Sequence, residues 1–467
     1  MITLRDYQSA AVDQIRHAYR QRTRRVLLVL PTGGGKTIVF CWIAEAMAAS
    51  GKRVAILVHR QELIEQVSMA LSAMGVAHGV IAAGYPPNDA SVQIASVATL
   101  ARRLDKGIRP FDLIITDECH HAVAGQWQAV LASMPDAYSL GVTATPQRLD
   151  GRGLGAAYEV MVQGPTVAEL TAAGHLVPPR VFAPPERLDL SGVKVRGGDY
   201  AAGQLAEFMS AGGLVGNAVA HHRRLAFGRP AVAFCANIGH SQMVATRFRE
   251  AGIAAAHVDG TTDPSERRRL IGALGTGELR VLTNVDLVGE GVDVPVIGAV
   301  LLLRPTRSVA RYLQSVGRAL RPASGKVDAI VLDHAGCTLV HGLPDAPRSW
   351  TLADQPALRP AGRTKAPGDC LRQCQGCGAF EPAGTPTCQT CGAPLKACAA
   401  EIREHAAQLE ERRQQLAEKV QRTSYRQVIK WATTPEKLQF AARARGYHRG
   451  WIRLRLEELE KRKQICS

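Results

Sequence analysis

The segment Leu30-Pro31-Thr32-Gly33-Gly34-Gly35-Lys36-Thr37 constrains this chain more than any other stretch. It follows an apolar run, Val26–Leu30, that reads as a buried strand. It precedes Ile38–Ala44, where apolar residues continue at helical spacing. Three glycines between a strand and a helix let backbone N–H groups close around a polyphosphate, because no Cβ stands in the way. Lys36 then supplies a point charge to the outer phosphates, and the Thr37 hydroxyl is placed to ligate Mg²⁺. The general phosphate-loop pattern has a glycine where Leu30 stands, so Pro31-Thr32 ahead of three glycines is a variant of it. Thr32 to Thr37 form the candidate nucleotide cradle; the bland alternative is a glycine-rich turn with no ligand.

At 467 residues, 46% of them hydrophobic, the chain is long enough for two or three domains with separate cores. Its 57 Lys and Arg against 41 Asp and Glu leave an excess of 16 positive charges, which suits a polyanion such as nucleic acid. No stretch has the apolar length of a membrane span, and Met1–Asp6 lacks a signal-peptide core, so a cytoplasmic protein is expected. The 11 cysteines suit free thiols and metal binding better than disulfides.

A helix is expected from Leu4 to about Tyr19, carrying Arg5 and Gln8; an amide there has the paired donor and acceptor needed to read an adenine edge. Short apolar runs then alternate with amphipathic helices: Val26–Leu30, Val54–Val58, Val92–Ala95, Leu113–Thr116 and Leu140–Thr143. Between them, Glu62–Leu71 places Leu63, Val67 and Leu71 on one face. This period predicts an α/β fold with a parallel sheet covered on both sides, whose ligands gather at the carboxyl ends of the strands. Polar residues stand at those ends: Lys36, His59-Arg60, Ser96 and Thr99, Asp117-Glu118, Thr143 and Thr145. Asp117 can hold the Mg²⁺ that Thr37 also contacts, and Glu118 can orient and polarise an attacking water. The alternative for this pair is an acidic helix cap after a strand. His120 could link the nucleotide site to Thr143-Ala144-Thr145 or merely satisfy a turn.

Arg5-Asp6-Tyr7-Gln8, Gly-Gly-Gly-Lys-Thr, Asp117-Glu118-Cys119-His120 and Thr143-Ala144-Thr145-Pro146 resemble, in order, the motifs of superfamily-two helicases and translocases. Within these the chain is similar to bacterial RadD-type helicases and their phage-encoded relatives, and type III restriction translocating subunits share the motor. The resemblance covers roughly the first three-quarters of the chain and implies two tandem RecA-like lobes: 1–177, then a Pro/Gly-rich crossing over 178–205, then 206–345. The second lobe has apolar runs at Ala231–Cys235, Ala254–Val258, Leu279–Thr283, Ala299–Leu303 and Ala329–Leu332 but no phosphate loop. A helix is expected over Ser308–Leu320, with Val309, Tyr312, Leu313, Val316 and Leu320 as its apolar stripe. Gln314, Arg318 and Arg321 project from another face, and Pro322 ends the helix. Gln314–Arg321 resembles the arginine-finger motif of the superfamily. A solvated basic face is the alternative. Gly289–Pro295 resembles the loop that senses nucleotide, with Gly291 permitting the turn and Asp293 contacting ribose or an arginine. The resemblance further implies ATP and Mg²⁺, contacts of Arg5 and Gln8 with the nucleotide, and a nucleic-acid grip by Arg60, Thr99, Asn237 and Thr283.

Residues 346–369 are expected to form a linker, on the linker composition of Ala357–Asp369. Within 370–398, Cys374-Gln375-Gly376-Cys377-Gly378 and Cys388-Gln389-Thr390-Cys391-Gly392 each resemble a zinc knuckle, and four thiolates suit tetrahedral Zn²⁺. Cys370 and Cys398 flank the site as substitute ligands; Cys41, Cys119, Cys235 and Cys337 read as core thiols. Residues 399–467 form a basic helical tail in which Trp431, Phe440, Tyr447 and Trp451 alternate with Arg443, Arg445, Arg449 and Arg453. These could stack bases and hold phosphates, but the core and rim of a small helical bundle is the preferred reading. The tail could also meet a protein partner.

The expected activity is a nucleic-acid-dependent ATPase acting on single-stranded or forked DNA in repair, recombination or replication. The residues do not separate DNA from RNA. Two alternatives stand: a duplex translocase that does not unwind, and a zinc-bearing DNA-targeting scaffold switched by ATP.

Overall fold

The computed structural model describes residues 3–121, 125–148, 153–183, 190, 192–196, 199–201, 204–205, 214–285, 287, 294–354, 371–382, 384–395, 418 and 420–465. The expected loop carrying Gly291 and Asp293 lies outside them, as do Cys370, Cys398 and residues 355–370.

Near-continuous apolar strands build the first sheet: β1 (Arg25–Val29), β2 (Val54–Val58), β3 (His78–Ile81), β4 (Val92–Ser96), β5 (Leu113–Asp117), β6 (Tyr138–Thr143) and β7 (Val160–Gln163). All pair in parallel, in the order β3-β4-β2-β5-β6-β1-β7. Buried on both faces, β2 and β5 have no polar alternation, as a helix-covered parallel sheet requires. The five strands legible in the sequence are the inner ones, with β1 and β6 starting earlier than their apolar runs. The edge strands β3 and β7 were not anticipated, because half-exposed segments such as His78-Gly79-Val80-Ile81 carry too short an apolar signal.

The second sheet contains β8 (Pro179–Phe182), then, after the small antiparallel pair β9 (Val195–Arg196) and β10 (Asp199–Tyr200), β11 (Ala231–Phe234), β12 (Ala255–Val258), β13 (Val281–Asn284), β14 (Ala299–Leu302) and β15 (Ala329–Asp333). Its order is β12-β13-β11-β14-β15-β8, again parallel throughout. The stretch read as an inter-lobe crossing thus supplies an edge strand. Proline is tolerated there because β8 has a free side. Leu170, Leu176 and Val177 already pack in the second lobe's core, so the chain leaves the first lobe directly after β7.

A second passage between the lobes follows β15. Arg348 donates to the carbonyls of His341, Leu343, Pro344 and Ala346, folding this segment on itself. Trp350 and Leu352 then pack against a first-lobe cluster containing Leu27, Leu154 and Tyr158. The Gly155 N–H donates to the Leu352 carbonyl at 2.8 Å, and a Cβ on Gly153 would stand 2.2 Å from that same oxygen. The expected linker is therefore packed as far as residue 354.

The cysteine module is built on the antiparallel pair β16 (Leu371–Gln373) and β17 (Phe380–Pro382). It continues the free edge of β8: Phe182 bridges Ala379, the Gln373 amide donates to the Ala183 carbonyl at 2.8 Å, and Phe380 enters the second lobe's core. The tail forms a separate compact unit. Its helices Tyr425–Trp431, Pro435–Arg445 and Arg449–Ile465 enclose Val420, Val428, Ala432, Leu438 and Ala441, with Trp431, Phe440 and Trp451 packed against them. Arg445 donates to the Val420 and Gln421 carbonyls and to the Tyr447 hydroxyl. Trp431, Phe440 and Trp451 are thus half-buried at the rim of the bundle core, and the half-buried Tyr447 lies against Trp451 with ring centroids 4.7 Å apart.

Candidate active site

The glycine loop leaves β1, which lies between β6 and the edge strand β7. Gly33 and Gly35 adopt φ of +86° and +78°, and Gly35 starts the helix Lys36–Ala49 without any side-chain cap. That helix terminus therefore keeps its N–H donors and positive dipole end for an anion. The loop is buttressed from below: a Cβ on Gly35 would lie 2.4 Å from Gln8 Nε2, and the Tyr7 hydroxyl donates to the Gly34 carbonyl at 3.0 Å. Gln8 Oε1 accepts the Arg5 N–H at 2.9 Å, capping the first helix, which starts at Asp6. Gln8, 4% exposed, thus turns its amide to the loop rather than to the open cleft; Arg5 and His175 line the cleft instead.

Lys36 lies beside Asp117 and Glu118. Burial pushes its pKa down; the two carboxylates pull it back up, and Arg318 and Arg321 from the second lobe push it down again. Glu118 adopts φ of +48°, a left-handed conformation that costs a non-glycine residue roughly 1–3 kcal/mol. Its N–H donates to Asp117 Oδ1 at 3.0 Å, which ties the strained turn to the Asp117 carboxylate. His120 Nδ1 lies 3.4 Å from Glu118 Oε2 and 3.2 Å from Thr143 Oγ1. Thr143 in turn donates to the Thr145 carbonyl at 3.0 Å, and both threonines are fully buried. Burial also raises the neighbouring Cys119 and Cys41 thiols, and pushes Cys235 up to about 12, consistent with inert core positions.

The second lobe completes the cleft. Gln314 Nε2 donates to Glu118 Oε2 at 3.3 Å, while Arg318 and Arg321 line the same cleft as Lys36, Thr37, Asp117 and Glu118. The helix carrying Gln314 runs from Val309 to Gly317, shorter than expected. Beyond it the chain tightens into short turns, with Ala319 donating to Val316 and Leu320 to Gly317. Gly317 explains the close approach: a Cβ there would stand 2.4 Å from Thr32 Cβ. Two ion pairs brace the same face, Arg267 with Glu62 and Arg268 with Glu65 at 3.2 Å. Gly317, His175 and these pairs were not found by sequence reasoning. All are contacts between distant segments, and no local pattern announces them.

The four residues expected to grip nucleic acid differ in availability. Arg60 precedes the helix Gln61–Ala73 at the carboxyl end of β2. Thr99 is 8% exposed, and the Asn237 side chain is engaged as a helix cap, accepting the His240 N–H at 2.7 Å. Thr283 has no exposed surface and its hydroxyl exchanges hydrogen bonds with Ser241, so in this conformation it fastens the core rather than offering a contact.

In the cysteine module, the Sγ atoms of Cys374 and Cys391 are 3.6 Å apart, as are those of Cys377 and Cys388, and all four lie within 4.8 Å of one another. Bonds of about 2.3 Å at tetrahedral angles would set sulfurs about 3.8 Å apart, so the set fits one tetrahedral ion. The two knuckles are alike: Gly378 donates to the Cys374 carbonyl and Gly392 to that of Cys388, each at 2.8 Å with positive φ. Without a metal, backbone N–H groups of Cys377 and Gly376 lower the Cys374 thiol, whereas burial raises those of Cys377 and Cys388.

Residues 1–148 match the family model described as type III restriction enzyme, res subunit, and residues 217–323 match the helicase conserved C-terminal domain. A Lactococcus phage (isolate 7-9) protein known by its mass, 51.5 kDa, is 33% identical over 78% of this chain and 76% of its own length. The Saccharomyces cerevisiae protein named "Putative ATP-dependent helicase IRC3" is 30% identical over 74% of this chain, which spans about half (53%) of that relative. Among solved structures, the ATP-dependent Type ISP restriction-modification enzyme LlaBIII bound to DNA is similar in fold, with a TM-score of 0.55 and 20% identity over 71% of this chain and 27% of that one. Two parallel-sheet lobes, the motifs in their order and the match to these relatives lead to one conclusion: the chain belongs to the superfamily-two helicases, ATP-hydrolysing motors that act on nucleic acid.

Proposed function

We propose that the protein is a DNA-dependent ATPase that moves along or unwinds DNA, using ATP bound between its two lobes. The observation that carries this reading is the shared cleft, in which Lys36, Thr37, Asp117 and Glu118 of one lobe face Arg318 and Arg321 of the other. Lys36 and the loop N–H groups hold the phosphates. Glu118, steadied by Gln314, orients the attacking water and accepts its proton. Arg318 and Arg321 neutralise charge developing on the transferred phosphoryl group, a contribution typically worth ~10³–10⁵ in rate. Mg²⁺, for which the Thr37 hydroxyl and the Asp117 carboxylate are suitable hard oxygen ligands, would supply charge neutralisation to the phosphates. His120, Thr143 and Thr145 connect this chemistry to the strand ends where nucleic acid would lie. Arg60 is the best placed of the four grip residues, and nucleotide contacts are assigned to Arg5 and to the loop carrying Gly291 and Asp293.

DNA rather than RNA is favoured by the restriction-enzyme kinship of the first lobe and by the DNA in the LlaBIII complex. A role in repair, recombination or replication is proposed on the RadD-like resemblance. Zn²⁺ at Cys374, Cys377, Cys388 and Cys391 is part of the proposal, supported by the sulfur spacing.

An ATPase assay titrated with single-stranded DNA, duplex DNA and RNA tests the reading. Stimulation by DNA is expected, and forked against blunt duplexes separate unwinding from translocation alone. Slow hydrolysis indifferent to every nucleic acid would favour the scaffold instead.

A further inference from the structure

Downstream of the helix Val309–Gly317 the chain turns at Gly325, with φ of +73° and the Lys326 N–H donating to the Ala323 carbonyl at 3.1 Å. The turn folds the Lys326 side chain back beneath the cleft. There its ammonium donates to the carbonyls of Arg321 and Ile297, each at 2.6 Å, and of Pro295 at 3.0 Å. An ammonium has three donors and no acceptor, so these three carbonyls satisfy it completely. Arg321 and Pro295 both line the nucleotide cleft, and a Cβ on Gly33 would stand 3.5 Å from Arg321 Cγ. The Arg321 side chain therefore lies along the glycine loop while its backbone is held from beneath.

We infer that Lys326 is a positioning residue for Arg321, clamping the backbone of the arginine to the Pro295–Ile297 segment so that the guanidinium meets the glycine loop at a fixed angle. The proposal rests on the reading of Arg321 as a phosphate-facing residue. Burial is the main force against this ammonium, with Arg321 and Arg229 adding repulsion, and together they bring its pKa down to about 8. Arg229 is itself tied to Asp328, which also pairs with Arg180 at 3.0 Å, so no carboxylate is left to neutralise Lys326 among its described contacts. A cation kept beside two guanidinium groups and held only by carbonyl oxygens is poorly explained as a surface staple. Charge-assisted bonds of this length fix geometry. An error of about 1 Å in a catalytic group costs on the order of a hundredfold in rate.

The test uses the full chain with Lys326→Met, which keeps the length of the side chain without its donors, Lys326→Arg, which keeps charge and donors, and Arg321→Ala as reference. Lys326→Gln serves if the methionine variant does not fold. ATP turnover is measured at saturating DNA, with melting temperature alongside. For Lys326→Met the expected result is a kcat lower by about ten- to a hundredfold with KM for ATP within about threefold. Lys326→Arg should recover most of that loss. A kcat within twofold of the parent, or a loss that Lys326→Arg does not restore, overturns the clamp. If Arg321→Ala also turns over normally, the assignment of Arg321 fails; if it is inactive while Lys326→Met is not, only the clamp fails.

Discussion

The two lobes are built on the same plan and differ most at one turn. In the first, β1 runs into a helix whose leading residue, Gly35, offers no side chain to its own N–H groups. In the second, β11 runs into the helix Ile238–Glu250, whose leading residue, Asn237, closes the terminus by accepting the His240 N–H. One helix end is left open for an anion; the other is occupied by its own amide. A parallel sheet thus becomes a nucleotide site through what is omitted at the turn as much as through what is added. The second lobe contributes from a different place, the end of the Val309–Gly317 helix, where a missing side chain again decides how near it can come.

The strongest way to break this contrast is to remove the charge at the open turn. Lys36→Ala should lower ATP turnover by about a thousandfold or more while the melting curve stays close to that of the parent, and Glu118→Gln should do the same with nucleotide binding retained. Ordinary hydrolysis by either purified variant would end the assignment. Next, Gly317→Ala puts a methyl group against Thr32, which has no flexible end to yield, so the second lobe must withdraw. Turnover should fall about a hundredfold, while binding of a non-hydrolysable ATP analogue to the first lobe weakens far less. Cys388→Ser addresses the appended module: metal analysis should show the bound ion lost, and limited proteolysis should open residues 371–393, with ATP turnover changed only modestly. Smallest is Asn237→Ala, expected to lower stability by about 1 kcal/mol in denaturant titration and to leave nucleotide affinity untouched. If that variant were as stable as the parent, the Asn237 amide would not be what closes the second lobe's helix end, and the contrast would be wrong.

Inner strands were legible because burial on both faces demands long apolar runs, as in Val54–Val58. Order within a sheet was not, since any run of this kind fits any inner position. At the site, Lys36, Asp117, Glu118, Gln314, Arg318 and Arg321 were visible because each chemical role fixes a residue type at a short spacing. Their neighbours were hidden for the opposite reason. Gly317 matters through a contact 285 positions away in the chain (317 minus 32), and Lys326 through carbonyl groups that every residue possesses. Gln8 was legible as a candidate nucleotide contact, but its bond to the Arg5 N–H and its close approach to Gly35 were not, because spacing does not reveal which backbone an amide meets.

The second passage of the chain, in which Trp350 and Leu352 return to the first lobe beside Gly153 and Gly155, has a mechanical meaning. A body joined to another at one point can swivel in any direction. Joined at two, it retains a single easy rotation, about the line through both joints. Each stroke of this motor would then retrace one arc, and the opening between the lobes would be the same shape on every cycle.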